Sequence, residues 1–270
     1  MLKDITLGQY YPVKSPVHSL DARVKILLSI AFMVAVFCVK GAVSYVVLAV
    51  FTAAIIKLSN IPFRFMLKGI KPIMFFIVFT AVLNVFLTSG TPIWQFGFLK
   101  ITREGLYYAA FMVVRIVFLV LGTSLLTYTT SPIQLTDGLE ALLRPFSKIG
   151  LPSHELAMMM SIALRFIPTL LEETDKIIKA QTARGADFES GNIVNRAKAL
   201  IPLLVPLFIS AFRRADELAT AMECRCYHGG EGRTRLRQLK ITKDDIRYTV
   251  VCMVVFAVIL SMKIFFKRVI

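Results

Sequence analysis

The chain has 270 residues, 56% of them hydrophobic, and a mean hydropathy of +0.69. Soluble domains hold about 45–50% apolar residues, so a water-soluble globular fold is excluded and an integral membrane protein is implied. The formal charge of +15 does not point to nucleic acid, because residues 131–247 hold 17 of the 32 Lys and Arg and also 14 of the 17 Asp and Glu; the excess sits in short loops beside apolar runs, where basic residues set topology and meet anionic headgroups.

The first 25 residues are polar and mixed in charge, with no apolar core or small-residue cleavage site. No cleaved signal is expected, and the first apolar run counts as a span. Residues 26–39 and 43–56 are apolar and separated by Lys40-Gly41. Each reaches only about 21 Å as a helix, against a hydrocarbon core of roughly 30 Å, which predicts a hairpin of short spans. Lys57, Arg64, Lys68 and Lys71 mark a basic loop on the cytoplasmic side. Residues 72–87 form the third span, ended by Thr88-Ser-Gly-Thr-Pro92. Trp94, Phe96 and Phe98 then suit an interfacial belt on the outer side.

Residues 106–127 make the fourth span, with Arg115 inside it. An arginine at that depth costs roughly 2.5–3.5 kcal/mol on insertion scales. It needs Asn84, a backbone carbonyl, a partner subunit or a route to the headgroups. Ser131-Pro132 ends this span. Residues 155–171 and 197–212 are fairly apolar, yet Arg165 and Pro168 interrupt the first and Pro202 and Pro206 the second. Proline inside a helical pattern forces a bend, so both are expected to be kinked or broken arms lying along the membrane. Residues 248–266 supply a fifth span.

The expected fold is therefore an all-α integral membrane protein with about five transmembrane helices and long kinked amphipathic cytoplasmic coupling helices. Residues 1–130 would hold four spans, residues 131–247 the coupling region and residues 248–270 the last membrane helix. The N-terminus and the coupling region would be cytoplasmic, although Lys263, Lys267 and Arg268 then fall outside, against the positive-inside rule.

Cys38, Cys224, Cys226 and Cys252 form no disulfide framework. Cys224-x-Cys226-x-His228 is not a standard zinc spacing and has no second ligand cluster. There is no glycine-rich phosphate loop, no Ser/His/Asp arrangement, and only three scattered histidines. Glu172-Glu173 reads as a solvated helix face. No enzyme activity, metal or cofactor is expected.

Two near-copies of one helical phrase stand 41 residues apart. Asp175-Lys-Ile-Ile-Lys-Ala-Gln-Thr-Ala183-Arg184-Gly185 is followed by Asp216-Glu-Leu-Ala-Thr-Ala-Met-Glu-Cys224-Arg225-Cys226. Superposing the arginines also superposes Asp175 on Asp216 and Ala180 on Ala221. Guanidinium is permanently charged and grips a carboxylate through two parallel hydrogen bonds. An alanine beside it permits close approach to a groove, and Gly185 gives the helix a left-handed stop. Two equivalent cationic plugs point to a partner with two equivalent sockets, such as a dimer.

On these residues the chain resembles the transmembrane T component of energy-coupling factor (ECF) transporters, which import vitamins or transition-metal ions. The resemblance covers nearly the whole chain. Gly8-Gln9-Tyr10 and Ser15-Pro-Val-His-Ser-Leu-Asp-Ala-Arg-Val-Lys25 look like that family's opening segment, and Ala163-Leu-Arg-Phe-Ile-Pro168 resembles its kinked coupling-helix phrase. Ala183-Arg184-Gly185 matches the first of its two Ala-Arg-Gly signatures. The second has become Cys224-Arg225-Cys226. Cysteine cannot replace glycine at a left-handed cap without strain, so the second helix is expected to run about one turn further and stop at Gly229-Gly230.

The resemblance implies that the two arginine tips dock onto two ATP-binding cassette ATPase subunits, as a homo- or heterodimer. It also implies a separate small membrane S component that holds the substrate and lies in the same bilayer. Met158, Met159, Met160, Leu203, Leu204, Leu207 and Phe208 are candidate contacts between the arms and that component. Vitamin uptake through a shared module is the expected use. The alternatives are a dedicated cobalt or nickel importer, a stand-alone channel or secondary transporter, and a membrane-embedded enzyme.

Overall fold

The computed structural model describes residues 10–39, 41–96, 99–150, 152–186, 188, 192, 194, 198–229 and 239–267. In chain order the helices are α1 (Pro16–Ser19), α2 (Ala22–Cys38), α3 (Ala42–Leu58), α4 (Phe63–Ile70), α5 (Met74–Leu87) and α6 (Arg103–Thr129). They continue as α7 (Pro132–Leu143), α8 (Ser153–Ala183), α9 (Ile201–Glu223) and α10 (Lys243–Lys267). The all-α expectation holds, with one small addition. β1 (Pro92–Phe96) and β2 (Leu99–Thr102) pair antiparallel in the stretch where an aromatic belt was expected. Phe98 lies outside the described residues.

Four helices among the described residues are long and apolar enough to cross a bilayer: Phe63–Leu87, Arg103–Thr129, Ser153–Ala183 and Lys243–Met262. Ala42–Leu58 is a shorter apolar helix. Two differences from the sequence reading have physical causes. The basic stretch before Pro72 is helical rather than a loop. Met66 is buried while Arg64 and Lys68 are exposed, so one face of α4 packs and the other carries charge. Pro72 falls in a 3-10 turn, Lys71–Ile73, that joins α4 to α5. Second, α8 is one unbroken helix through Pro168, because a single lost N–H leaves the other backbone bonds of a long helix in place. α9 likewise continues through Pro206, and Pro202 sits in its first turn, where an N–H is unpaired anyway.

The described residues divide into two compact units, one from residues 139–238 and the other from residues 8–138 with 239–270. In the second unit α6 packs against α2, α4 and α5, and α10 packs against α2 and α3. Val36, Leu48, Met66 and Ile259 are fully buried. Tyr45 lies between Phe111 and Phe118, at 5.1 and 6.5 Å between ring centroids. Gly122 lets α2 approach α6 closely: a Cβ there would meet the Phe32 ring at 2.5 Å. Lipid is as apolar as leucine, so this fit, and not burial from water, holds the bundle together. Phe75, Phe76, Phe79 and Leu87 on α5 remain exposed, as a lipid-facing surface requires.

Arg115 finds its partners within the chain. Its Nε donates to the Tyr45 hydroxyl at 3.3 Å and its Nη2 to the Val39 carbonyl at 3.4 Å. A backbone carbonyl was among the expected acceptors; Tyr45 was not. Asn84 instead donates to Thr80 O of its own helix.

Candidate functional site

Residues 139–238 present α8 and α9 as an antiparallel pair. Glu173 on α8 meets Ser210 and Arg214 on α9. Nearer the C-terminus of α8, Gln181 Nε2 reaches the Pro202 carbonyl at 3.5 Å, near the N-terminus of α9. The C-terminal tips of the two helices therefore point in opposite directions.

Both tips end in the same hydrogen-bonded cap. On α8, the Gly185 N–H donates to Thr182 O at 2.9 Å and the Ala186 N–H to Gln181 O at 3.0 Å, with Gly185 at φ +88°. That is the Schellman pattern, in which a left-handed residue reverses the chain and satisfies two terminal carbonyls. On α9, the Tyr227 N–H donates to Met222 O at 3.1 Å and Cys226 adopts φ +54°. The equivalent residues, offset by 41, perform the equivalent roles. The expectation that α9 would run on to Gly229-Gly230 is thus corrected. α9 ends at Glu223, and Cys226 takes the left-handed place that glycine fills in the first copy. A non-glycine residue there costs about 1–2 kcal/mol, and the cap's two carbonyl bonds, that from Tyr227 and a second from the Cys226 N–H to Glu223 O at 2.8 Å, offset it. Gly229 is also left-handed, at φ +95°, three residues beyond Cys226.

Arg184 and Arg225 each sit one residue before the left-handed position and are exposed, as are Ala183, Gly185, Cys224 and Cys226. Neither guanidinium makes an ion pair among the described residues. A cation beside the last carbonyls of a helix is also favoured by the helix dipole. Each tip thus carries an exposed positive charge at a capped helix end.

The helix crossing was missed by sequence reasoning. Arg214 donates from Nε and Nη2 to Glu173 Oε2 at 3.2 and 3.0 Å, and the Ser210 hydroxyl donates to Glu173 Oε1. The signal was present: the 41-residue offset that superposes the arginine tips also places Glu172-Glu173 on Arg213-Arg214 and Thr169 on Ser210. Under a two-fold axis relating α8 to α9, only residues at the axis meet their own equivalents. Glu173 and Arg214 do so. Arg184 lies eleven residues beyond Glu173 and Arg225 eleven beyond Arg214. At 1.5 Å per residue the two tips stand about 33 Å apart along the pair.

Of the candidate arm contacts, Met159, Met160, Leu204 and Phe208 are exposed, Met158 and Leu207 are half-buried, and Leu203 is buried. Phe208 stacks on Phe212, and Ile201, Leu204, Val205, Phe208 and Phe212 form an exposed stripe at helical spacing. Cys224, Cys226 and His228 are not joined by other ligands: among the described residues no group of three or more His, Cys, Asp or Glu could hold a metal ion.

A second polar cluster, also unforeseen, lies at the start of α2. The Asp21 N–H donates to Asp245 Oδ1 at 2.8 Å, and Asp245 Oδ2 accepts from the Thr242 N–H and hydroxyl at 2.7 Å each. Arg23 grips the Asp21 carboxylate at 2.8 Å and donates to Leu239 O at 3.1 Å. The Lys25 ammonium is held by the carbonyls of His18 and Thr129. Gly138 packs against the same segment: a Cβ there would meet Ala22 at 3.0 Å.

Residues 13–236 match the family model described as cobalt transport protein, CbiQ. Among curated proteins, the chain is similar to the energy-coupling factor transporter transmembrane protein EcfT of Clostridium kluyveri, at 56% identity over 99% of this chain and 100% of the relative. The protein of the same description from Thermosediminibacter oceani is 59% identical, over 91% of this chain and 92% of the relative. That of Bacillus subtilis is 49% identical, over 99% and 100%.

Proposed function

The chain belongs to the family of transmembrane components of energy-coupling factor transporters, and on that premise we propose that its two arginine tips carry the stroke of an ATPase dimer into the membrane helices. The family makes it a non-catalytic, multi-pass membrane subunit of a bacterial ECF transporter. The finer reading rests chiefly on one observation: Arg184 and Arg225 cap antiparallel helices in the same way, at equal distances from a two-fold crossing. A partner that receives both must itself offer two equivalent sockets about 33 Å apart, as a dimer of ATP-binding cassette subunits would. Desolvated arginine–carboxylate contacts in such sockets favour docking where the geometry is two-pronged.

In this reading residues 131–247, with the N-terminus, are cytoplasmic, and α2, α3, α4 with α5, α6 and the rest of α10 make five crossings of the bilayer. Substrate is held by a separate S component, which rides on the exposed apolar stripe of α9 and on Met159 and Met160 of α8. Methionine adapts to differing surfaces, which suits a module serving several S components. Vitamins are the proposed cargo. A dedicated cobalt or nickel importer is the second reading, favoured by the description of the matching family model.

The test is the pair of charge reversals Arg184→Glu and Arg225→Glu. Each alone should weaken co-purification of the ATPases, and together they should abolish uptake at normal membrane levels. Normal uptake by the double variant would remove the tips from the mechanism. Uptake of labelled vitamins against cobalt or nickel ions separates the two cargo readings.

A further inference from the structure

We propose that Glu173 and Arg214 are positioning residues, forming a pin at the two-fold crossing of α8 and α9 that fixes how far apart the two arginine tips stand. The inference deepens the coupling reading above and rests on it.

The geometry of a two-fold antiparallel pair creates a particular difficulty. Away from the axis, residue i of one helix meets a different residue of the other, and any repeated sequence can be accommodated. At the axis each residue meets its own copy. Had the repeat been faithful there, Glu would face Glu or Arg would face Arg, with like charges opposed across a partly desolvated contact. This chain departs from identity at that point and in the complementary sense: Glu172-Glu173 in the first copy, Arg213-Arg214 in the second. Glu172 and Arg213 are exposed, while Glu173 and Arg214 are half-buried against one another. Both oxygens of the Glu173 carboxylate are engaged, one by Ser210 and one by two nitrogens of Arg214.

Such a pin does what the surrounding apolar contacts do poorly. Ridges of aliphatic side chains slide past one another by a helical turn, about 5.4 Å. A carboxylate held by a guanidinium and a hydroxyl has a single register. Slippage of α9 along α8 by one turn would change the tip separation by that same distance and take at least one arginine out of its socket. The pin therefore holds the register of the crossing, and with it the distance at which the two tips stand.

The experiment uses the full chain in its assembled transporter, with spin labels introduced as non-canonical amino acids at Thr182 and Glu223. These exposed positions are themselves related by the 41-residue offset and lie just behind the two tips. Pulsed dipolar spectroscopy reads their separation, and uptake is measured against ATP hydrolysis by the same preparation. Glu173→Arg or Arg214→Glu should broaden or shift the distance distribution. Each should also lower substrate imported per ATP hydrolysed about tenfold, within the range for a broken coupled pair. ATP hydrolysis by the complex should continue. The double exchange, Glu173→Arg with Arg214→Glu, restores opposite charges and should return both distance and coupling to within about twofold of the parent.

Glu173→Gln keeps the shape but not the charge, and supplies the same comparison should a single reversal fail to accumulate. It should broaden the distribution in the same direction. Unchanged distances in the variants, or loss of coupling that the double exchange does not rescue, would overturn the pin. Those results would leave the tip assignment standing, since that is judged separately by the Arg184 and Arg225 reversals.

Discussion

Glycine exchange at the two caps gives opposite signs. Gly185 and Cys226 occupy the same left-handed place, at φ +88° and +54°. Replacing Cys226 by glycine removes a steric penalty of about 1–2 kcal/mol, but the freer open chain takes back about 0.5–1 kcal/mol. The last turn of α9 should gain about 0.5–1 kcal/mol. Gly185→Ala does the reverse on α8 and should lose about 1 kcal/mol. These are local effects, so global melting is a poor measure of them. Hydrogen exchange followed by mass spectrometry reads opening of the cap directly. In Cys226→Gly the amide of Tyr227, which donates to Met222 O at 3.1 Å, should exchange about two- to fivefold more slowly. In Gly185→Ala the amide of Ala186, bonded to Gln181 O at 3.0 Å, should exchange about fivefold faster. If α9 instead ran on to Gly229-Gly230, residue 226 would be mid-helix, and glycine there would destabilise by roughly 0.5–1 kcal/mol. Faster exchange in Cys226→Gly would therefore refute the shared cap by its sign alone.

Two further outcomes follow from the packing around α2. Arg23 holds the Asp21 carboxyl below the usual carboxylate range, chiefly through its side-chain hydrogen bonds. A depressed acid contributes stability that is present above its unfolded pKa, near 3.9, and is lost as pH falls through the folded value. The melting temperature of the purified transporter should thus show no loss from this pair down to about pH 5 and a loss below about pH 4, and Arg23→Gln should shrink that acid loss. Gly122→Val drives a branched side chain into the Phe32 ring, which already stands 2.5 Å from the Cβ site. It should lower stability by about 1–3 kcal/mol, seen as a lower melting temperature; an unchanged value would show that α2 is free to move away.

Much of this architecture could be read in advance where a local rule and the tertiary answer agree. The apolar runs became helices, the proline-bearing arms became long helices, and the arginine phrases fell at helix ends. Failures arose where a local rule was overruled. Pro168 was read as a kink or a break, and of the two the continuous helix Ser153–Ala183 excludes the break, since a long helix tolerates one missing donor. Arg64 and Lys68 suggested a loop, whereas they are the outer face of a helix whose inner face is Met66. Cys226 was judged unfit for a left-handed cap, yet two recovered backbone bonds outweigh the strain of one residue. The Asp21–Asp245 cluster joins residues 224 positions apart, a pairing that no periodicity announces.

The crossing of the arms shows a subtler reason for blindness. A repeat search rewards identity, and identity is what two tips need if they are to enter equivalent sockets: Arg184 and Arg225, Asp175 and Asp216, Ala180 and Ala221. At the axis the requirement inverts, because equivalent residues face each other, and complementarity replaces likeness. Glu172-Glu173 against Arg213-Arg214 scores as a mismatch when the copies are aligned, yet it is the one place where mismatch is the signature of the fold. In any helical repeat that folds back on itself, the aligned position with opposite charges therefore marks the crossing, and the distance from it to the conserved tip measures the arm. Here that distance is eleven residues on each side, and the two arms are of equal length because the repeat is.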